Sequence, residues 1–194
     1  PLLYKENGFK KKETAMELKE ILSANPPLEA VVEKIEKKKE NKNPPLLFNL
    51  AELQNECSRL FKLSPDETLK IVQELYEKKL VTYPRTDARV LSSAVAKEIY
   101  KNISGLKNYE HGSIYATEIL ETGSYKNLIK TRYVNDKQIT DHYAIIPTGQ
   151  GLNALRSISV QGSKVYEVIV RRFLSIFYPP AVYQKINLVS VIEK

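Results

Sequence analysis

The sequence predicts an α+β protein that is mainly α, and three observations carry that reading. Two consecutive segments between residues 49 and 79 combine helix-capping chemistry with apolar residues at helical spacing. Two further segments, from Ser92 or Ser93 and from Ser163 to Phe177, repeat the helical pattern. Alternation suited to a strand is clearest near the end, over Val182–Ile192.

Residues 1–12, PLLYKENGFKKK, read as an extended or hairpin segment turning near Asn7-Gly8. Glu13–Ser23 then has helical spacing through Ala15, Leu18, Ile21 and Leu22, and Asn25-Pro26-Pro27 stops it. Residues 28–42 admit two readings. Their glutamates and lysines favour helix by propensity, while the order of Val31, Val32 and Ile35 among charges also suits an edge strand. Asn43-Pro44-Pro45 is the clearest boundary, because two prolines continue neither a helix nor a central strand.

After that boundary Asn49 caps a predicted helix with Glu52 at its third position and an apolar stripe of Leu50, Leu53, Leu60 and Phe61. Ser64, Pro65 and Glu67 start the next, whose inward residues are Leu69, Val72, Leu75 and Tyr76. Lys78 and Lys79 suit the negative end of its dipole. Leu80–Tyr83 leads into Pro84, so Tyr83 sits on a turn, and the following helix buries Val95, Ile99 and Tyr100. Residues 104–141 give no clear pattern; within them Leu128–Val134 suits helix or strand. His142–Thr148 is apolar, Gly149–Gly151 is a loop, and Pro179-Pro180 ends the last helix.

With 42% hydrophobic residues, 194 residues suffice for a packed core, and ten prolines against seven glycines argue against low complexity. No apolar run approaches the ~18 residues that cross a bilayer, and no charged leader precedes an apolar stretch. A soluble, intracellular protein without a membrane partner is expected. One cysteine and two histidines exclude an internal disulfide and a zinc cluster, so no metal-ligating set is expected. Thirty Lys plus Arg against twenty-three Asp plus Glu give a net charge of +7, compatible with a phosphate-rich partner but not diagnostic of one. Residues 150–194 are the more basic part, with six basic against two acidic side chains. The start at Pro1 without methionine, and the end within a strand-like pattern, read as an excised fragment.

The chemistry concentrates in residues 80–92, LVTYPRTDARVLS. Pro84 holds Tyr83 extended, so Tyr83 and Arg85 can face the same side and share a phosphate. A tyrosine suits reversible strand breakage: it stores the broken bond as a phosphodiester, and phenols, with pKa about 10, are better leaving groups than aliphatic alcohols. A guanidinium offers paired donors to non-bridging oxygens. Asp87 is placed to orient Arg85 or cap the next turn. For an isolated Tyr-Pro-Arg the default remains a packed tyrosine and a surface arginine.

Agreement at several separate places outweighs that default. Thr82–Asp87, TYPRTD, together with the helix before it from Thr68, is similar to the active-site segment of type IA DNA topoisomerases, specifically the bacterial topoisomerase III branch. PPLLFNLAELQ (44–54) resembles the entry into the same domain, DHYAIIPTG (141–149) the family's DHHAIIPT motif, and VYEVIVRRFLSIFYPPA (165–181) the arginine-rich helix beyond it. Tyr143 departs from the pattern, standing where the family often has a second histidine.

The resemblance implies that Tyr83 is a nucleophile forming a 5′-phosphotyrosine link, Arg85 a contact to the scissile phosphate and His142 a catalytic helper. It extends DNA binding to Arg85, Arg89, Arg171 and Arg172, although a solvated helix face explains Arg171 and Arg172 equally well. It implies a helix-turn-helix-like domain over 46–155 inserted in a β gate, or arch, domain formed by 1–45 and 156–194, which favours strand for Ala30–Glu40. Its partners would be single-stranded DNA and the missing domains of a longer, cytoplasmic, nucleoid-associated bacterial protein. Those domains would supply the carboxylates for Mg²⁺, this stretch holding no cofactor and being inactive alone. The competing expectation is a non-catalytic winged-helix-like DNA- or protein-binding module in which Tyr83 only packs. A tyrosine recombinase would need more arginines and histidines around a tyrosine late in the chain.

Overall fold

The computed structural model describes residue 9, residues 11–23 and residues 29–192. The turn expected at Asn7-Gly8 and the stop at 25–27 lie outside them. The chain divides into two compact units, Pro1–Lys42 with Ala181–Lys194, and Asn43–Pro180.

In the first unit, α1 (Lys12–Leu22) matches the predicted helix. Strands β1 (Ala30–Lys42) and β2 (Ala181–Ile192) form a two-stranded antiparallel ribbon with Ala30 opposite Ile192 and Lys42 opposite Ala181. A bulge between Val32 and Lys34 shifts the register once. The lysine- and glutamate-rich β1 is a strand despite its helical propensity, because the ladder to β2 satisfies its backbone from a distant part of the chain.

The second unit is helical: α2 (Leu50–Phe61), α3 (Pro65–Glu77), α4 (Ser93–Leu106), α5 (Ser113–Thr122) and α6 (Val160–Ser175). The caps at Asn49 and Ser64 form as the sequence indicates. Asn49 Oδ1 accepts from the Glu52 amide at 2.9 Å, and Ser64 and Glu67 close a reciprocal capping box. Ser92 caps α4 and Ser159 caps α6, which starts three residues before the predicted Ser163. The unpatterned 104–141 stretch contains α5 and short 3₁₀ turns, Leu128 lying in one of them.

Some inward assignments require correction. Leu60, Tyr76 and Tyr100 are exposed, while Cys57, Thr68, Ala96 and Ile103 fill the buried positions of α2, α3 and α4. The helical unit also runs past the expected end at 155. Helix α6 buries Val165, Tyr166, Ile169, Val170, Phe173 and Leu174 in the same core as Leu53, Leu75 and Ile99, so 156–180 packs with the helices.

Candidate active site at the Tyr83 turn

Helix α3 delivers the turn. Lys78 closes the helix, and Lys79 takes a left-handed conformation, φ +63°, that turns the chain out of it. Residues 80–86 then run beside 142–148, and the two segments are knitted together. The Thr82 amide donates to the Ile146 carbonyl, and the Thr148 amide to the Leu80 carbonyl, both at 3.0 Å. The Thr82 hydroxyl donates to the Ala144 carbonyl and accepts from the Ile146 amide, each at 3.0 Å. Buried Thr86 repeats the device on the other side of Tyr83: its hydroxyl donates to the His142 carbonyl at 2.9 Å and accepts from the Ala88 amide at 3.1 Å. Two threonines thus bracket Tyr83 and fix the segment bearing His142.

Further bonds fix both segments to the helices. The Ile145 amide reaches the Phe48 carbonyl at 2.8 Å, and the Leu50 amide reaches the Thr86 carbonyl at 3.2 Å. Asn49 Nδ2 donates to the Asp87 carbonyl at 3.1 Å, joining the start of α2 to the turn. Gly149, φ +75°, lies against α4 so closely that a Cβ there would stand 2.5 Å from the Asn102 carbonyl oxygen, which requires glycine.

The result brings Tyr83 and His142, far apart in sequence, to a ring-centroid distance of 4.2 Å with planes inclined 39°. Tyr76 meets Tyr83 edge to face at 5.5 Å. These three rings, with Lys79, Tyr143 and Gln150, line most of a cavity of about 340 Å³. Burial raises the Tyr143 phenol above its ordinary pKa. Among the described residues no carboxylate lines the cavity, and the Tyr83 hydroxyl has no hydrogen-bond partner.

The arginines divide. Arg85 is exposed and free of ion pairs among the described residues, but it is not in the lining of the Tyr83 cavity. Asp87 forms no ion pair with it there; Thr86, not Asp87, organises the turn. Arg89 is tied to Glu52 at 3.2 Å and to the Leu47 carbonyl at 3.3 Å. Arg171 pairs with Glu167 at 2.9 Å on the α6 surface. Arg172 donates to the Leu46 carbonyl at 2.9 Å and lies 4.0 Å from the Phe48 ring centre, its pKa lowered by burial. Arg171 and Arg172 line a different cavity, beside Glu56 and Leu60.

No group of three or more His, Cys, Asp or Glu suited to a metal occurs among the described residues, and the tyrosine's cavity offers no carboxylate to Mg²⁺. No described helix is long and apolar enough to cross a membrane.

A family model described as DNA topoisomerase matches residues 3–194. The chain belongs to the type IA DNA topoisomerase family. It is 37% identical over 167 residues to DNA topoisomerase 3 of Bacillus subtilis strain 168, a match covering 84% of this chain and 22% of that protein. It is 38% identical over 152 residues to DNA topoisomerase 3 of Shouchella clausii, covering 78% and 20%. Among solved structures, full-length topoisomerase I from Thermotoga maritima is similar with a TM-score of 0.61 and 26% identity, over 99% of this chain and 29% of that one. The chain therefore spans about a fifth of the length of these curated topoisomerase relatives.

The sequence singles out Tyr83 and His142, which the fold brings together, but not what surrounds them. Helical spacing places Tyr76 in the core, and the sequence assigns Lys79 only the role of complementing the helix dipole. The threonine on each side of the Tyr-Pro-Arg was the available signal for the staples, since a hydroxyl beside an exposed turn can serve both a carbonyl and an amide.

Proposed function

We propose that this chain is the tyrosine-bearing cleavage module of a longer, ATP-independent type IA topoisomerase that breaks and rejoins single-stranded DNA to change its topology. The observation that carries this reading is Tyr83 facing His142 at 4.2 Å between centroids, in a cavity with no carboxylate among its described lining residues. A phosphodiester, itself anionic, meets no like charge there.

In the forward step the Tyr83 oxygen attacks phosphorus, a tyrosyl P–O bond forms, and the bond to the 3′ oxygen breaks. The tyrosine gives up its phenolic proton and the departing 3′ oxygen gains one. His142, against the Tyr83 ring, positions the phenol and assists these transfers. Arg85, exposed, two residues along the turn and without an ion pair among the described residues, holds the non-bridging oxygens. The 3′ hydroxyl reverses the step after another strand has passed.

Mg²⁺ bound by carboxylates outside this chain would supply charge neutralisation at the phosphate, so the chain alone is inactive. The helical unit Asn43–Pro180 would be a helix-turn-helix-like insertion and the β1–β2 ribbon part of a gate domain. Arg89, Arg171 and Arg172 contribute to DNA binding less than Arg85, since each already has an internal partner. The setting would be the bacterial cytoplasm, at the nucleoid.

The test is covalent trapping of end-labelled single-stranded DNA by the full-length protein with Mg²⁺ and a denaturing stop. An adduct formed by the wild type and lost in Tyr83→Phe supports the reading. Absence of an adduct, or its persistence in Tyr83→Phe, returns the chain to a non-catalytic winged-helix-like binding module.

A further inference from the structure

The cation within the tyrosine's own cavity is Lys79. Its neighbour Lys78 has internal partners, Glu74 at 3.9 Å and the Ser157 hydroxyl at 3.3 Å. Lys79 is exposed and, among the described residues, has no ion pair. Yet its backbone is held on both sides. Its amide donates to the Tyr76 carbonyl at 2.8 Å, and its carbonyl accepts from the Thr148 hydroxyl. Gly151 packs against the preceding carbonyl so tightly that a Cβ would lie 2.6 Å from it.

The conformation held in this way is left-handed, which a side chain disfavours and glycine adopts freely. A lysine there gives up backbone comfort that glycine would keep, and it places a flexible point charge beside Tyr76, Tyr83 and His142. Among the described residues the cavity supplies aromatic faces for bases, one lysine without an ion pair and no opposing carboxylate, and its volume is within the ~300–1,000 Å³ of single-ligand sites.

We propose that Lys79 is a DNA-contacting residue of the Tyr83 cavity, its ammonium gripping a backbone phosphate of the strand that Tyr83 attacks. This rests on the reading of Tyr83 as a DNA-cleaving nucleophile and adds a second phosphate contact to that of Arg85. Its role is to position the strand, so binding and its salt dependence report on it.

The experiment measures binding of a labelled single-stranded oligonucleotide by the full-length protein over a range of NaCl concentrations, with Tyr83→Phe present to prevent cleavage. Lys79→Gly and Lys79→Gln are compared with Lys79→Arg and with Lys70→Gln, an exposed lysine of α3 outside the cavity. The expected result is several-fold weaker binding and a salt slope shallower by about 0.7 for Lys79→Gly and Lys79→Gln, with Lys79→Arg and Lys70→Gln near the reference. Lys79→Gly should melt no lower than the reference, because glycine suits the left-handed backbone.

Unchanged affinity and slope in Lys79→Gly and Lys79→Gln would overturn the proposal. So would weaker binding accompanied by a large drop in melting temperature in Lys79→Gly, since that would make the lysine structural. Adduct formation by the otherwise wild-type protein is scored separately. If it is intact while Lys79 has no effect, only this proposal falls; if it is absent, the Tyr83 reading falls as well.

Discussion

Replacing Thr86 by valine isolates what holds the His142 segment to the Tyr83 turn. The two side chains have nearly the same volume, so the change opens no cavity and removes only the hydroxyl. Two bonds are lost: the one donated to the His142 carbonyl at 2.9 Å and the one accepted from the Ala88 amide at 3.1 Å. His142 is exposed and its carbonyl can recruit water, which puts that loss near 1 kcal/mol. Ala88 is buried, so its stranded amide costs about 1–3 kcal/mol. The total is about 2–4 kcal/mol, or roughly 6–15 °C in the melting temperature of a unit this size. Thermal unfolding of the chain followed by circular dichroism measures it, with Thr86→Ser, which keeps the hydroxyl, near wild type. In the full-length protein the same valine should slow adduct formation by about tenfold or more, because His142 is no longer fixed opposite Tyr83. Wild-type melting together with wild-type adduct formation in Thr86→Val would refute the claim that the threonine staples organise the site.

The close contact between α4 and the loop after the His142 segment makes a second prediction. A Cβ at Gly105 would collide with the Gly149 carbonyl, and Gly149 cannot retreat because it lies against Asn102, so Gly105→Ala should destabilise the chain by about 2–4 kcal/mol in denaturant titration. The capping box supplies a pH signature. The Ser64 amide, at 2.8 Å, and then the Ser64 hydroxyl hold the Glu67 carboxyl below its ordinary pKa. Its contribution is therefore present above the ordinary glutamate value of about 4.3 and is lost as pH falls through the lower folded value. Melting between pH 2 and 6 should show a smaller acid-side loss in Glu67→Gln than in wild type, and an unchanged profile would contradict this.

The parts of the fold legible in the sequence were those with local causes. Asn49, Ser64 and the Ser92-Ser93 pair announce helix starts because a short polar side chain satisfies an amide two or three residues ahead, and the structure uses Asn49, Ser64 and, of the pair, Ser92. Residues 30–42 were not legible locally, since their strand state depends on β2, which arrives some 140 residues later in the chain. The end of the helical unit was missed for a related reason. Family resemblance marked the arginine-rich helix, but only the packing of Val165, Tyr166 and Ile169 shows which core it joins. In the candidate site, Tyr83 and His142 were visible as residue types within motifs. The partners of Arg89, Arg171 and Arg172 were not, because an arginine reads alike in sequence whether it faces solvent or a buried carbonyl.

The most direct test of the central claim is to locate the DNA on the protein. The adduct of the full-length protein with single-stranded DNA would be digested with nuclease and trypsin, and the nucleotide-bearing peptide sequenced by mass spectrometry. The account predicts a nucleotide joined through its 5′ phosphate to Tyr83 in the tryptic peptide 80–85, LVTYPR. A nucleotide on Tyr76 or Tyr143, or one linked through its 3′ phosphate, would contradict it.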